Sequence, residues 1–223
     1  MDEWMPMNGN CKWTEYEFLE IIKAIDAVDD TTVTVREGKR DLLAIAAKMD
    51  GTKGNVVEGL ANMLTKLPRL PILDRDRIGE VELQATFYDA LLSEIIADQD
   101  QRVALRWANK SADEEQTDIR PDAILSSLLQ HDFGYPLGFG EAKPGNRPTN
   151  QHSVNMDVFR LGITCRRSID KWRRPNFLAF MINGYHISFF VISERHQDLY
   201  TMVEIASLDV AASISDLHRF ATR

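Results

Sequence analysis

Cysteine is nearly absent from this chain, with Cys11 and Cys165 the only two among 223 residues. They stand far apart and without metal-ligand spacing, which excludes a disulfide scaffold and implies reduced thiols in an intracellular protein. Long apolar runs are missing too. No stretch of about eighteen apolar residues is present to span a membrane, and Met1-Asp2-Glu3-Trp4-Met5-Pro6 has neither the basic flank nor the apolar block of a secretion signal. Several catalytic signatures are also lacking. There is no Gly-x-Ser-x-Gly elbow, no Gly-rich phosphate loop closed by Gly-Lys-Ser/Thr, and no His-x-x-x-His metal pair. His186, His196 and His218 are scattered and read as structural. Positive charge is in deficit: 26 Lys and Arg against 34 Asp and Glu give a net charge of -8, which opposes general binding to polyanions.

One stretch runs against that balance. Arg160, Arg166, Arg167, Lys171, Arg173 and Arg174 lie together with a single acid, Asp170, among them. Such a patch can contact phosphates while the remaining surface stays acidic. The same cations also suit the C-terminal end of a solvated helix.

The hydrophobic fraction, 44%, is that of an ordinary globular protein, and 223 residues allow one large domain or a core with a small module. Thr14 followed by Glu17 forms a capping box before Phe18, Ile21, Ile22 and Ile25, so a helix is predicted over 14–28. Two further short helices are expected over 37–49 and 55–66, making residues 1–70 a helical module. Pro68, Pro71 and the charged 74–77 segment mark a boundary, with 71–79 as linker. From residue 80 the pattern changes. An amphipathic helix over 80–97 is followed by a strand near 102–108, a polar loop over 111–117 and a strand after Asp122. A connection longer than a tight hairpin, 130–134, leads to the strand of Glu141. A long helix then starts at Thr149 or Asn150 and runs to Trp172, with strands near 177–181, 185–192 and 199–208 and a last helix capped by Ser213 or Ser215. Asn183-Gly184 reads as a type I′ turn. This order is α+β, with a mixed central sheet.

The chemistry gathers around Arg120-Pro121-Asp122 and Gly140-Glu141-Ala142-Lys143-Pro144. Strand side chains alternate, so Glu141 and Lys143 share a face while Ala142 points away. If the two strands pair, Asp122 joins them, and two carboxylates and an ammonium occupy one pocket. Hard oxygen ligands of this kind hold Mg²⁺ together with substrate phosphate. A nearby lysine can orient a water and steady charge on phosphorus. The plainer alternative is a turn-capping Asp122 beside a solvated Glu141–Lys143 pair. Gly138-Phe139-Gly140 is too short for a dinucleotide site and suits a strand that approaches its neighbour closely.

These residues resemble the PD-(D/E)xK phosphodiesterase superfamily, whose core runs helix, three strands, helix, strand. Residues from about 80 onward also resemble an uncharacterised fungal group with RPD and GEVKP-like motifs, which brings no established activity. The superfamily resemblance implies a restriction-endonuclease-like core over 80–223 and a metal-dependent nuclease using Mg²⁺ or Mn²⁺. Asp122, Glu141 and Lys143 would be catalytic, and Glu82 would complete a metal site with Asp122 and Glu141. The six basic residues from Arg160 to Arg174 would contact nucleic acid, DNA rather than RNA, with Gln151 as an accessory polar group. The alternative is a member of the same fold that binds nucleic acid or protein without catalysis.

Overall fold

The computed structural model describes residues 12–108, 120–145 and 151–221. Within them lies an α+β fold with one six-stranded mixed sheet whose strands lie side by side in chain order. The polar loop at 111–117 and the helix start at Thr149 or Asn150 fall outside the described residues. Among those described, no helix is long and apolar enough to cross a membrane.

The first three helices are α1 (Glu15–Asp29), α2 (Val35–Ala46) and α3 (Gly51–Met63). Thr14 caps α1 with the reciprocal bonds of a capping box to Glu17. Thr34 and Glu37 repeat that device on α2, which therefore starts two residues before the sequence-based expectation. Asp50 caps α3 rather than merely ending α2, and draws its start forward from 55 to 51.

Helices α4 (Glu80–Leu83) and α5 (Asp89–Ile96) flank a π turn at Gln84–Tyr88, so the predicted single helix over 80–97 is interrupted. Phe87 and Tyr88 are adjacent in sequence and both have zero exposure. All five helices share one core with Ala123, Ala142, Phe180, Ile182 and Ile187 from one face of the sheet, and with α7 (Ile214–Ala221). The opposite face is covered by α6 (Gln151–Trp172), whose Leu161, Cys165 and Ile169 pack on Phe139, Phe177, Met181 and Ile192.

Strands β1 (Val103–Trp107), β2 (Ala123–Leu129) and β3 (Asp132–Lys143) are successively antiparallel. The β2–β3 connection is a tight turn at Gln130 and His131, with Leu129 opposite Asp132. The sequence reading expected a longer loop because Asp132, Phe133 and Gly134 look like turn residues. Gln130 takes φ 54° and closes the turn earlier, and a register shift near Pro136 absorbs the offset. Strand β3 then pairs parallel with β4 (Asn176–Asn183), the two being joined through α6.

Strands β5 (His186–His196) and β6 (Leu199–Asp209) complete the sheet antiparallel. Asn183 pairs with His186, so the β4–β5 loop is Gly184-Tyr185, one residue later than predicted, with Gly184 at φ 61°. Ser213 precedes α7 and donates to Asp216 Oδ2 at 3.0 Å.

The close approach expected at Gly138 is present: a Cβ there would lie 2.5 Å from the backbone oxygen of Leu178 on β4. Gly138→Ala is expected to destabilise the fold by about 2–3 kcal/mol, because the obstruction is backbone and cannot rotate aside. Urea unfolding measures this, and an unchanged midpoint would contradict the β3–β4 contact.

Candidate functional site

Asp122 sits immediately before β2, and the pairing of Ala123 with Gly140 brings it level with Glu141. Its Oδ2 accepts a buried 2.8 Å bond from the Ala142 backbone N–H. Its own carbonyl accepts from the Ala108 N–H at 3.0 Å. The carboxylate is thus fixed beside the two side chains that flank Ala142. Ala142 itself points into the helical core, while Lys143 reaches α6 on the other face.

Asp122 and Glu141 are 8% and 7% exposed. Strand register sets their carboxyl groups beside each other. Burial first, and then the charge of Asp122, push Glu141 up to about 9, so Glu141 keeps its proton at neutral pH. Glu80, at the first position of α4, is half-buried near Asp122. Burial and then the Asp122 charge raise its pKa, with partial relief from Lys143. Buried Gln84 reaches Glu80 Oε1 at 3.5 Å from one turn further along.

Asp157, in the second turn of α6, is 2% exposed and lies between two cations. Arg160 Nη1 is 2.9 Å from its Oδ1, and Lys143 Nζ is 3.3 Å from its Oδ2. The Lys143 contact has ion-pair distance without hydrogen-bond alignment, and Oδ2 keeps unused acceptor capacity. Burial works against the Lys143 ammonium, but Asp157, Glu80 and Glu141 outweigh it and hold its pKa above the ordinary lysine range. Lys143 is therefore a fixed positive charge.

The acid that the structure brings to Asp122 is Glu80, not Glu82. The two stand about 200° apart around a helix, so one can face the cluster only if the other does not. Glu82 is exposed and near Tyr185. Gln151 is exposed at the start of α6, and Asp157 is the α6 side chain that meets Lys143.

Of the six basic residues, Arg160 stands at the cluster. Arg166 lies nine residues beyond Asp157, about 13 Å along the helix, 3.9 Å from Asp170 and stacked over Tyr200. Arg167, Lys171 and Arg173 are exposed further on, and Arg174 stacks over Tyr135. Sequence reading took Glu82 as the helix acid of the site. It missed Asp157 altogether, although an acid amid the apolar stripe of Val154, Val158 and Leu161 was a usable signal of a buried charge.

Among the described residues, no group of three or more His, Cys, Asp or Glu side chains is set out to hold a metal ion. Here the neighbouring carboxyls are close enough for the Asp122 charge to bear on both Glu80 and Glu141. By type they are hard oxygen donors of the kind that Mg²⁺ and Mn²⁺ take. No family model matches this chain, and no curated protein or solved structure matches it.

Proposed function

We propose that this chain is a metal-dependent phosphodiesterase acting on nucleic acid, with a core related to the PD-(D/E)xK superfamily. The observation that carries the reading is the gathering of buried Asp122 and Glu141 and half-buried Glu80 near Lys143. Packing like charges together until one holds a proton at neutral pH opposes folding, and such arrangements concentrate at functional sites. The order of α4–α5, three antiparallel strands, α6 and parallel β4 is also the order of the superfamily core.

Asp122, Glu141 and Glu80 are the residues that would hold Mg²⁺ or Mn²⁺, whose contribution when bound is to activate water and neutralise charge on the phosphodiester. The chain's own groups do the rest. Asp122, fixed by the Ala142 N–H, presents its carboxylate without reorganisation. Glu141 would have to release its proton to solvent in order to hold the ion. Lys143, held by Asp157, donates hydrogen bonds to the attacking water and to charge growing on phosphate oxygens. Its raised pKa makes it an electrostatic donor rather than a base. Arg160 adds a second cation at the same place, and Arg166, Arg167, Lys171 and Arg173 supply phosphate contacts further along the substrate.

The test is cleavage of plasmid DNA, single-stranded DNA and RNA with Mg²⁺, Mn²⁺ or EDTA, comparing wild type with Glu141→Gln and Lys143→Ala. Metal-dependent cleavage, strongest on DNA and lost in both variants, is the expected result. Cleavage retained in Glu141→Gln overturns the assignment. The second reading, a binding domain of the same fold without catalysis, is favoured by the lack of a preset metal cluster among the described residues. It predicts no cleavage by any form, with affinity for nucleic acid that falls when Arg166 and Arg167 are replaced.

A further inference from the structure

A cleft of about 420 Å³ opens at the end of β4 and β5, lined in part by Gly145, two residues after Lys143. Strand register places it. Lys143 pairs with Asn183, Asn183 with His186, and His186 with Asp209, so the four lie in one row on one face of the sheet. With strands about 4.8 Å apart, His186 stands roughly 10 Å from Lys143, within reach of the next unit of a bound strand.

The lining converges on hydrogen-bonding chemistry. His186 Nδ1 is 2.9 Å from Asp209 Oδ1, which orients the ring and turns Nε2 away from that carboxylate, near the Ser188 hydroxyl at 3.4 Å. Arg75 lies 5.0 Å over the Tyr185 ring and makes no ion pair among the described residues. The Tyr185 hydroxyl is closed off from solvent without a hydrogen-bond partner. Asp216, the remaining acid, is engaged by Ser213. With Asp209 and Asp216 present the cleft is not a cationic trap for bare phosphate. It offers instead an aromatic wall, a stacked guanidinium, an amide and an oriented imidazole, a set suited to the edge and face of a base and to sugar hydroxyls.

We propose that this cleft is a nucleoside-binding subsite, taking the sugar and base next to the phosphodiester held at Asp122 and Glu141. The substrate class rests on the phosphodiesterase reading, and the test separates the two. Adenosine and thymidine 5′-monophosphate are titrated into the full chain while proton NMR follows the imidazole ring signals, with His186 assigned by His186→Gln. Inorganic phosphate is titrated in parallel, and each form is assayed for metal-dependent cleavage.

The expected result is a saturable shift of the His186 signals with nucleotide, weakened about tenfold in Arg75→Ala for the loss of one charged hydrogen-bond donor. The exposed His196 should not respond. No His186 response up to about 10 mM nucleotide, or an equal response to phosphate alone, overturns the subsite even if cleavage is present. A nucleotide response in a chain that cleaves nothing supports the subsite and removes the phosphodiesterase reading instead.

Discussion

Glu141→Gln is expected to stabilise the metal-free protein at pH 8 while abolishing its cleavage. Burial and Asp122 push Glu141 up to about 9, against an ordinary glutamate value of 4.5. The folded state therefore keeps a proton that the unfolded state releases between those values. The sign follows from linkage: stability falls as pH rises from about 4.5, and the loss is complete above about 9. A shift of this size would correspond to about 6 kcal/mol for an isolated group. Because Glu141 interacts with its neighbouring acids and the cluster relaxes, about 2 kcal/mol is expected at pH 8.

Glutamine keeps the shape and supplies a hydrogen-bond donor to Asp122 without titrating. Urea midpoints at pH 5.5 and 8.5 should fall for wild type and change much less for the variant. Equal pH slopes in the two would show that Glu141 does not hold the proton. Mn²⁺ should stabilise wild type and release protons into a weakly buffered solution, and Glu141→Gln should lose both effects. The group whose removal improves folding is then the group the chemistry needs.

Asp157→Ala should have the opposite stability effect. It removes the anion between Lys143 and Arg160 and leaves a lysine confined beside α6 without its partner. Breaking a buried ion pair from one side costs about 3–5 kcal/mol. Arg160 is half exposed and can turn to solvent, so a loss near about 3 kcal/mol is expected. Cleavage should fall as well, because Lys143 loses the contact that places it. Asp157→Asn, which keeps the shape and a hydrogen-bond acceptor, should recover part of the stability and more of the cleavage. If Asn and Ala cleave equally badly while differing in stability, Asp157 acts through its charge on Lys143 and not through position. Arg160→Ala, tested alongside, should lower stability by less than about 1 kcal/mol.

The sequence by itself determined the elements whose causes are local. Thr14 and Glu17 cap α1 because a capping box needs only four consecutive residues. The alternation along β3 places Glu141 and Lys143 on one face, and Gly138 answers a contact that glycine alone permits. The α+β class follows from the order of such segments.

Tertiary structure decided what depends on partners distant in the chain. Glu80 rather than Glu82 meets Asp122 because helix phase is set by which face the core claims, and Leu83, Phe87 and Tyr88 claim it. Asp157 reaches Lys143 only after α6 crosses back over the sheet, fourteen positions later in sequence. The π turn at Gln84–Tyr88 and the early turn at Gln130 arise where packing outweighs local preference. Spacing along a chain reports which side chains share a face. Which faces then meet is settled by the packing of the whole core, and in this protein that packing drove three carboxyls together.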